Sequence, residues 1–77
     1  RAVINLNKIN IEANEGEVVV VPGKVLSQGE IEKKIKVVAL SFSEKTKEKL
    51  NKGGIKYSSI YDEIKSNSEG KGIKIIK

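Results

Sequence analysis

Residues 24–54, KVLSQGEIEKKIKVVALSFSEKTKEKLNKGG, carry the most organised pattern in this 77-residue chain. From Ile35 the apolar residues alternate, with Ile35, Val37 and Ala39 on one face and Lys36, Val38, Leu40 and Phe42 on the other. Both faces are apolar from Val37 onward, so this strand is expected to be central, with material on each side. Ser43 then stands where a helix cap belongs, and the helix is expected to run to about Lys52, with Gly53 as its left-handed stop. Its inward stripe is Phe42, Thr46 and Leu50, spaced by four. Glu44 and Glu48 precede Lys49 and Lys52, the order that the helix dipole favours, and Glu48–Lys52 is an i,i+4 pair.

Ahead of this stretch, Glu17–Val21 reads EVVVV, a strand covered on both faces. Pro22 is expected to stop its ladder and Gly23 to bend it, after which Val25 and Leu26 resume the extended path and Ser27-Gln28-Gly29 turns it. Nearer the start, Leu6 and Ile9 with Asn5 as cap suggest a short helix from about Leu6 to Ala13. The alternative is a strand at Ala2–Leu6; the helix is the reading adopted. Beyond the glycine pair, GIKY (54–57) and GIKI (72–75) each read as a short strand after glycine. Between them Ser59 caps a second helix carrying Ile60 and Ile64, with Asp62 imitating a capping box and Asn67–Gly70 ending it. The order strand, strand, helix, strand, helix, strand gives an α+β fold, a small single domain with a short mixed sheet and two to three short helices.

Composition narrows the chemistry. A chain of 77 residues is at most one domain with a modest core, and with 38% hydrophobic residues but one Phe, two Tyr and no Trp that core is aliphatic. Cys and His are both absent, which removes disulfides, thiolate metal sites and the commonest general base. No catalytic residue, metal site or cofactor is expected. The adjacent carboxylates Asp62-Glu63 are the only pair that an enzyme could use, and they read as decoration of a helix start. Neither PGK (22–24) nor EGKG (69–72) is a phosphate loop, because Val18 and Lys65 stand where the first glycine belongs and Val25 and Gly72 where Ser or Thr belongs. No segment reaches the ~18 uninterrupted apolar residues that span a bilayer, and the expectation is a soluble, intracellular protein. Tyr57 and Tyr61 are read as core packing rather than as platforms for a nucleobase.

The charge is unevenly placed. Residues 1–32 carry a net −2 and residues 33–77 a net +7, as a surface meeting a polyanion would. Lys33, Lys34 and Lys36 beside Glu30 and Glu32 could clamp phosphate or merely solubilise a turn. Lys45, Lys49 and Lys52 share one flank of the helix and could form a basic ridge. Lysine acts as a point charge, and near absence of Arg argues against bidentate base reading. A free protein-interaction module with a basic solvated surface is the alternative.

The chain resembles the C-terminal globular part of the archaeal and eukaryotic large-subunit ribosomal protein eighteen-e family, related to bacterial large-subunit protein fifteen. The residues that carry the likeness are Lys24 and the two apolar residues after it, the loop with Gly29, the apolar strand, Phe42-Ser43, and Leu50 and Gly54. Ile4-Asn5-Leu6, Val19–Leu26 and the ending Gly70–Ile76 match as well, so the likeness runs nearly the whole length. Thr46 departs from the family's usual Ala, and Ser68 from a frequent Pro.

The resemblance implies an irregular strand-strand-helix superhelix and a structural, non-enzymatic constituent of the large subunit of cytoplasmic ribosomes. It also implies partners, ribosomal RNA and neighbouring ribosomal proteins, and a basic N-terminal arm that the stretch beginning at Arg1 is expected to lack. The RNA-binding candidates are Arg1, Lys8, Lys24, Lys33, Lys34, Lys45, Lys49 and Lys52, acting on phosphates rather than bases.

Overall fold

The computed structural model describes residues 2–61 and 73–76. Strand β1 (Ala2–Asn5) runs directly into helix α1 (Leu6–Glu12), followed by β2 (Val18–Leu26), β3 (Lys36–Phe42), α2 (Glu44–Lys52), β4 (Lys56–Ser59) and β5 (Ile73–Ile75). The two readings of the N-terminus are thus both realised, one after the other. Ile60 and Tyr61 open a helical turn; the rest of the expected second helix, with Asp62-Glu63 and Ile64, lies outside the described residues.

The small α+β fold stands, and every described strand pairing is parallel, a narrower arrangement than a mixed sheet. β3 is central, flanked by β2 and β4. β2 gives one edge to β3 and the other to two strands in tandem: β5 beside Val18–Val20 and β1 beside Gly23–Leu26. Pro22 falls between those two short partners. On the β3 side the register shifts between Val21 and Lys24, so the residue without an N–H sits where the ladder is interrupted on both edges. β2 is continuous through this point rather than stopped by it.

Both helices cover one face of the sheet. Leu6 and Ile9 of α1 and Leu50 of α2 join Val19, Val21, Val25, Val37 and Ala39 in a single buried cluster. Val38 is also buried but lies outside that cluster, on the opposite face, so β3 is covered on both sides as its pattern implies. β2 is not: Val19, Val21 and Val25 are buried, whereas Val18 and Val20 are half-buried. Four β-branched residues in a row signal strand, but not how much material reaches each face.

Helix α2 begins as expected. Ser43 Oγ accepts the Thr46 N–H at 3.2 Å, and Thr46 Oγ1, fully buried, donates to Val25 O at 3.1 Å. The hydroxyl that replaces the family's Ala therefore ties α2 to β2. Ser43→Ala is expected to cost about 1 kcal/mol, measurable as a reduced midpoint in chemical denaturation.

The helix ends differently from expectation. Gly53 keeps right-handed angles (φ −82°, ψ −2°), and the left-handed residue is Gly54 (φ 69°). The Ile55 N–H reaches Leu50 O at 2.9 Å and the Gly54 N–H reaches Asn51 O at 3.2 Å, the paired bonds of a Schellman ending. Glu48 and Lys52 make no ion pair among the described residues; Lys47 and Glu44 do, at 3.7 Å.

Asn5 precedes α1 but its side chain makes no capping bond. The orphan amide of the first turn is met from elsewhere, by Gln28 O, which accepts the Asn7 N–H at 2.9 Å. That carbonyl belongs to residues 27–35, which join β2 to β3. Parallel neighbours are usually bridged by a crossover helix of a dozen or more residues. Here an irregular strap does it, and such backbone persists only if its polar groups find partners.

Candidate nucleic-acid interface

The strap is stitched along its whole length. Glu32 N–H donates to Asn10 Oδ1 at 2.8 Å and Lys34 N–H to Glu15 Oε1 at 2.9 Å. Lys34 O accepts the Gly16 N–H at 2.8 Å, and Lys36 N–H donates to Glu17 O at 3.1 Å. At its start, Lys49 Nζ of α2 donates to Ser27 O at 2.8 Å and to Gly29 O at 2.9 Å. Gly29 has φ 93° and lies against the backbone of Asn7. Asn7, Asn10 and Glu15, none of them singled out in the sequence, are thus what shapes this segment. Each acts on backbone some twenty residues away, and no local pattern announces that.

The candidate cations fall into distinct situations. Lys8, exposed on α1, pairs with Glu12 at 3.8 Å. Lys33 is half-buried and its ammonium donates to Ala13 O, the carbonyl at the end of α1. Lys49 is engaged with the strap, which breaks the ridge expected from Lys45, Lys49 and Lys52. Lys24, Lys34, Lys45 and Lys52 are exposed, and their side chains make no hydrogen bond or ion pair with described residues. Arg1 lies outside the described residues.

Two clusters emerge. Lys24 stands near the end of β2 beside Ser41, and Ser43 N–H bonds Val25 O at 3.2 Å, which brings the first turn of α2 and Lys45 to the same end of the sheet. At the other end Lys34 precedes β3, Lys52 closes α2, and Lys36 and Lys56 stand in register on adjacent strands. Side-by-side cations on neighbouring strands are unfavourable without an anion nearby. The sequence reading omitted Lys56, because strand register, which brings it beside Lys36, has no trace in GIKY.

Lys49 and Lys52 also border a cleft of about 240 Å³ between the strap and α2, with Glu30 opposite and Leu6, Ile31, Leu50 and Ile55 beneath. Among the described residues no group of three or more acidic side chains could hold a metal ion. Tyr57 does pack inward, 5.1 Å from the Phe42 ring, and its hydroxyl accepts from Asn51 Nδ2 at 3.3 Å. Tyr61 is 68% exposed, contrary to the expected core role; it follows β4, beyond the sheet that would have covered it.

A parallel sheet with helices on one face, an irregular strap and lysines in place of a catalytic cluster is the frame of a structural, polyanion-facing domain. Residues 2–57 match the family of ribosomal proteins that unites 50S-L15 and 50S-L18e with their 60S counterpart, and the chain belongs to that family, one of ribosomal proteins and not of enzymes. It is similar to large ribosomal subunit protein eL18 of Methanothermobacter thermautotrophicus, at 40% identity over 77 residues, 100% of this chain and 64% of that protein. The eL18 proteins of Archaeoglobus fulgidus (43% over 76 residues, 99% of this chain) and Sulfurisphaera tokodaii (43% over 77 residues, 100% of this chain) are covered to 65% each. The chain therefore spans a little under two thirds of the length of these relatives.

Proposed function

We propose that this chain is a structural domain of the large subunit of cytoplasmic ribosomes, binding ribosomal RNA through lysine–phosphate contacts and packing against neighbouring ribosomal proteins. The observation that carries the RNA reading is the set Lys24, Lys34, Lys45 and Lys52: cations on fixed elements, exposed and engaged by nothing else among the described residues. Family membership supplies the setting. Lysine point charges suit backbone recognition, in which counterion release supplies affinity and shape sets register.

The protein-facing side of the proposal rests on Val3, Ile73 and Ile75, which are 58%, 41% and 60% exposed on the two strands that share the outer edge of β2. Apolar side chains in line on a sheet edge invite coverage by a partner. Contacts of this kind leave no salt signature, so the two halves of the proposal are separable.

Replacing Lys34, Lys45 and Lys52 together by glutamine is expected to flatten the salt dependence of ribosomal RNA binding. Each lost phosphate contact removes about 0.7–0.9 from the slope of log K against log salt, so the triple variant should lose about two. An unchanged slope rejects these lysines as the contact face.

A further inference from the structure

We infer that Lys33 and Lys49 are positioning residues, struts that preset the shape of the β2–β3 strap, and not phosphate ligands. This rests on the ribosomal RNA reading above and divides the chain's lysines into two classes with opposite experimental signatures.

Lys49 holds the entry to the strap. Three consecutive carbonyls there are accounted for: Ser27 O and Gly29 O accept from Lys49 Nζ at 2.8 and 2.9 Å, and Gln28 O accepts from the Asn7 N–H at 2.9 Å. Among the described residues Lys49 also supplies the hydrogen bonds between α2 and the strap, whereas α1 and the turn after it hold the remainder. Lys33 does the corresponding work at the exit, placing its ammonium on Ala13 O where α1 ends with its carbonyls turned outward. An ammonium satisfied by two carbonyls in this way must give up those bonds to take a phosphate. Doing so would leave the start of the strap without its tie to α2.

The strap presents Lys34 at the mouth of β3, so what Lys49 fixes is the placement of a candidate contact. A strap held in its binding shape avoids an ordering penalty on association. If loss of the tie leaves the strap competent about a tenth of the time, Kd rises about tenfold at every salt concentration. The slope of log K against log salt stays the same.

The test uses the 77-residue chain with transcribed large-subunit ribosomal RNA, comparing Lys49→Met, Lys49→Arg, Lys33→Met and, as the phosphate-type control, Lys45→Met. For Lys49→Met and Lys33→Met the expected result is a Kd raised severalfold to about tenfold with unchanged slope, and faster amide exchange at Glu32 and Lys34 in the free protein with the β2–β3 ladder amides unaffected. Lys49→Arg, which keeps donors within reach of both carbonyls, restores most of the affinity. Lys45→Met lowers the slope and leaves strap exchange alone. A slope reduced by about 0.7–0.9 on Lys49→Met, or an unchanged Kd, overturns the assignment of Lys49, and the same outcomes on Lys33→Met overturn that of Lys33.

Should Lys49→Met fail to fold by circular dichroism, Lys49→Gln, too short to span both carbonyls, is read by the same criteria. If the wild-type chain shows no RNA binding, the RNA reading fails on its own account. Strap exchange in the free variants then decides the struts, with unchanged exchange overturning them.

Discussion

Gly29→Ala is expected to destabilise the domain by about 3 kcal/mol, because left-handed backbone costs a non-glycine residue ~1–2 kcal/mol and overpacking adds a comparable amount. The backbone at Gly29 has φ 93°, and an added Cβ would lie 2.6 Å from Asn7 N and 2.8 Å from Asn7 Cα. Those atoms cannot yield as the end of a long side chain would. Asn7 sits in the first turn of α1 with its N–H committed to Gln28 O, so relief at Gly29 would pull on the helix itself. For a domain of this size the expected loss corresponds to a melting temperature lower by roughly 10–20 °C. Gly16 is the internal control. Its φ is 82° but an added Cβ would meet nothing within 4 Å, so Gly16→Ala should cost only the conformational part, about 1 kcal/mol. Equal losses at the two positions would show that the close approach to Asn7 does not matter.

Ile9→Ala should have an effect of similar size from a different cause. Ile9 is fully buried, in a helix of seven residues. So short a helix does not stand alone in water, and α1 exists because Leu6 and Ile9 bury against the sheet. Truncation at Ile9 leaves a cavity in the main cluster, at a cost of about 3 kcal/mol, read from denaturant unfolding. Ile11, two residues on in the same helix, is 76% exposed. Its replacement by alanine should change stability by less than about 0.5 kcal/mol. Comparable losses from both substitutions would mean that α1 is not packed as described.

The strands and helices were legible where one local period governed several residues. Ile35 to Phe42 showed a central strand, and Ser43 to the glycine pair showed a capped helix, because alternation, cap and stop are all written within a few residues of one another. The strap was not legible. Ser27 to Ile35 has neither period, and what shapes it comes from Asn7, Asn10, Glu15 and Lys49, each some twenty positions distant. Only Gly29 hinted at it, and a glycine alone marks a turn without saying what it lies against.

The interface was legible in charge and illegible in detail for the same reason. The excess of lysine after residue 32 is plain in the sequence, yet Lys45 and Lys49 look alike there. One is exposed and unengaged among the described residues, and the other reaches two carbonyls across the fold. Likewise nothing in GIKY places Lys56 beside Lys36; parallel register does.

The central claim, that exposed lysines join this domain to ribosomal RNA, is tested most directly by the wild-type chain's affinity for large-subunit ribosomal RNA across a salt series. The expected result is a linear fall of log K with log salt, with a slope of about −3 for four phosphate contacts, and release of the chain from sedimenting RNA at high salt. Absence of association at moderate salt, or an affinity indifferent to salt, would contradict it.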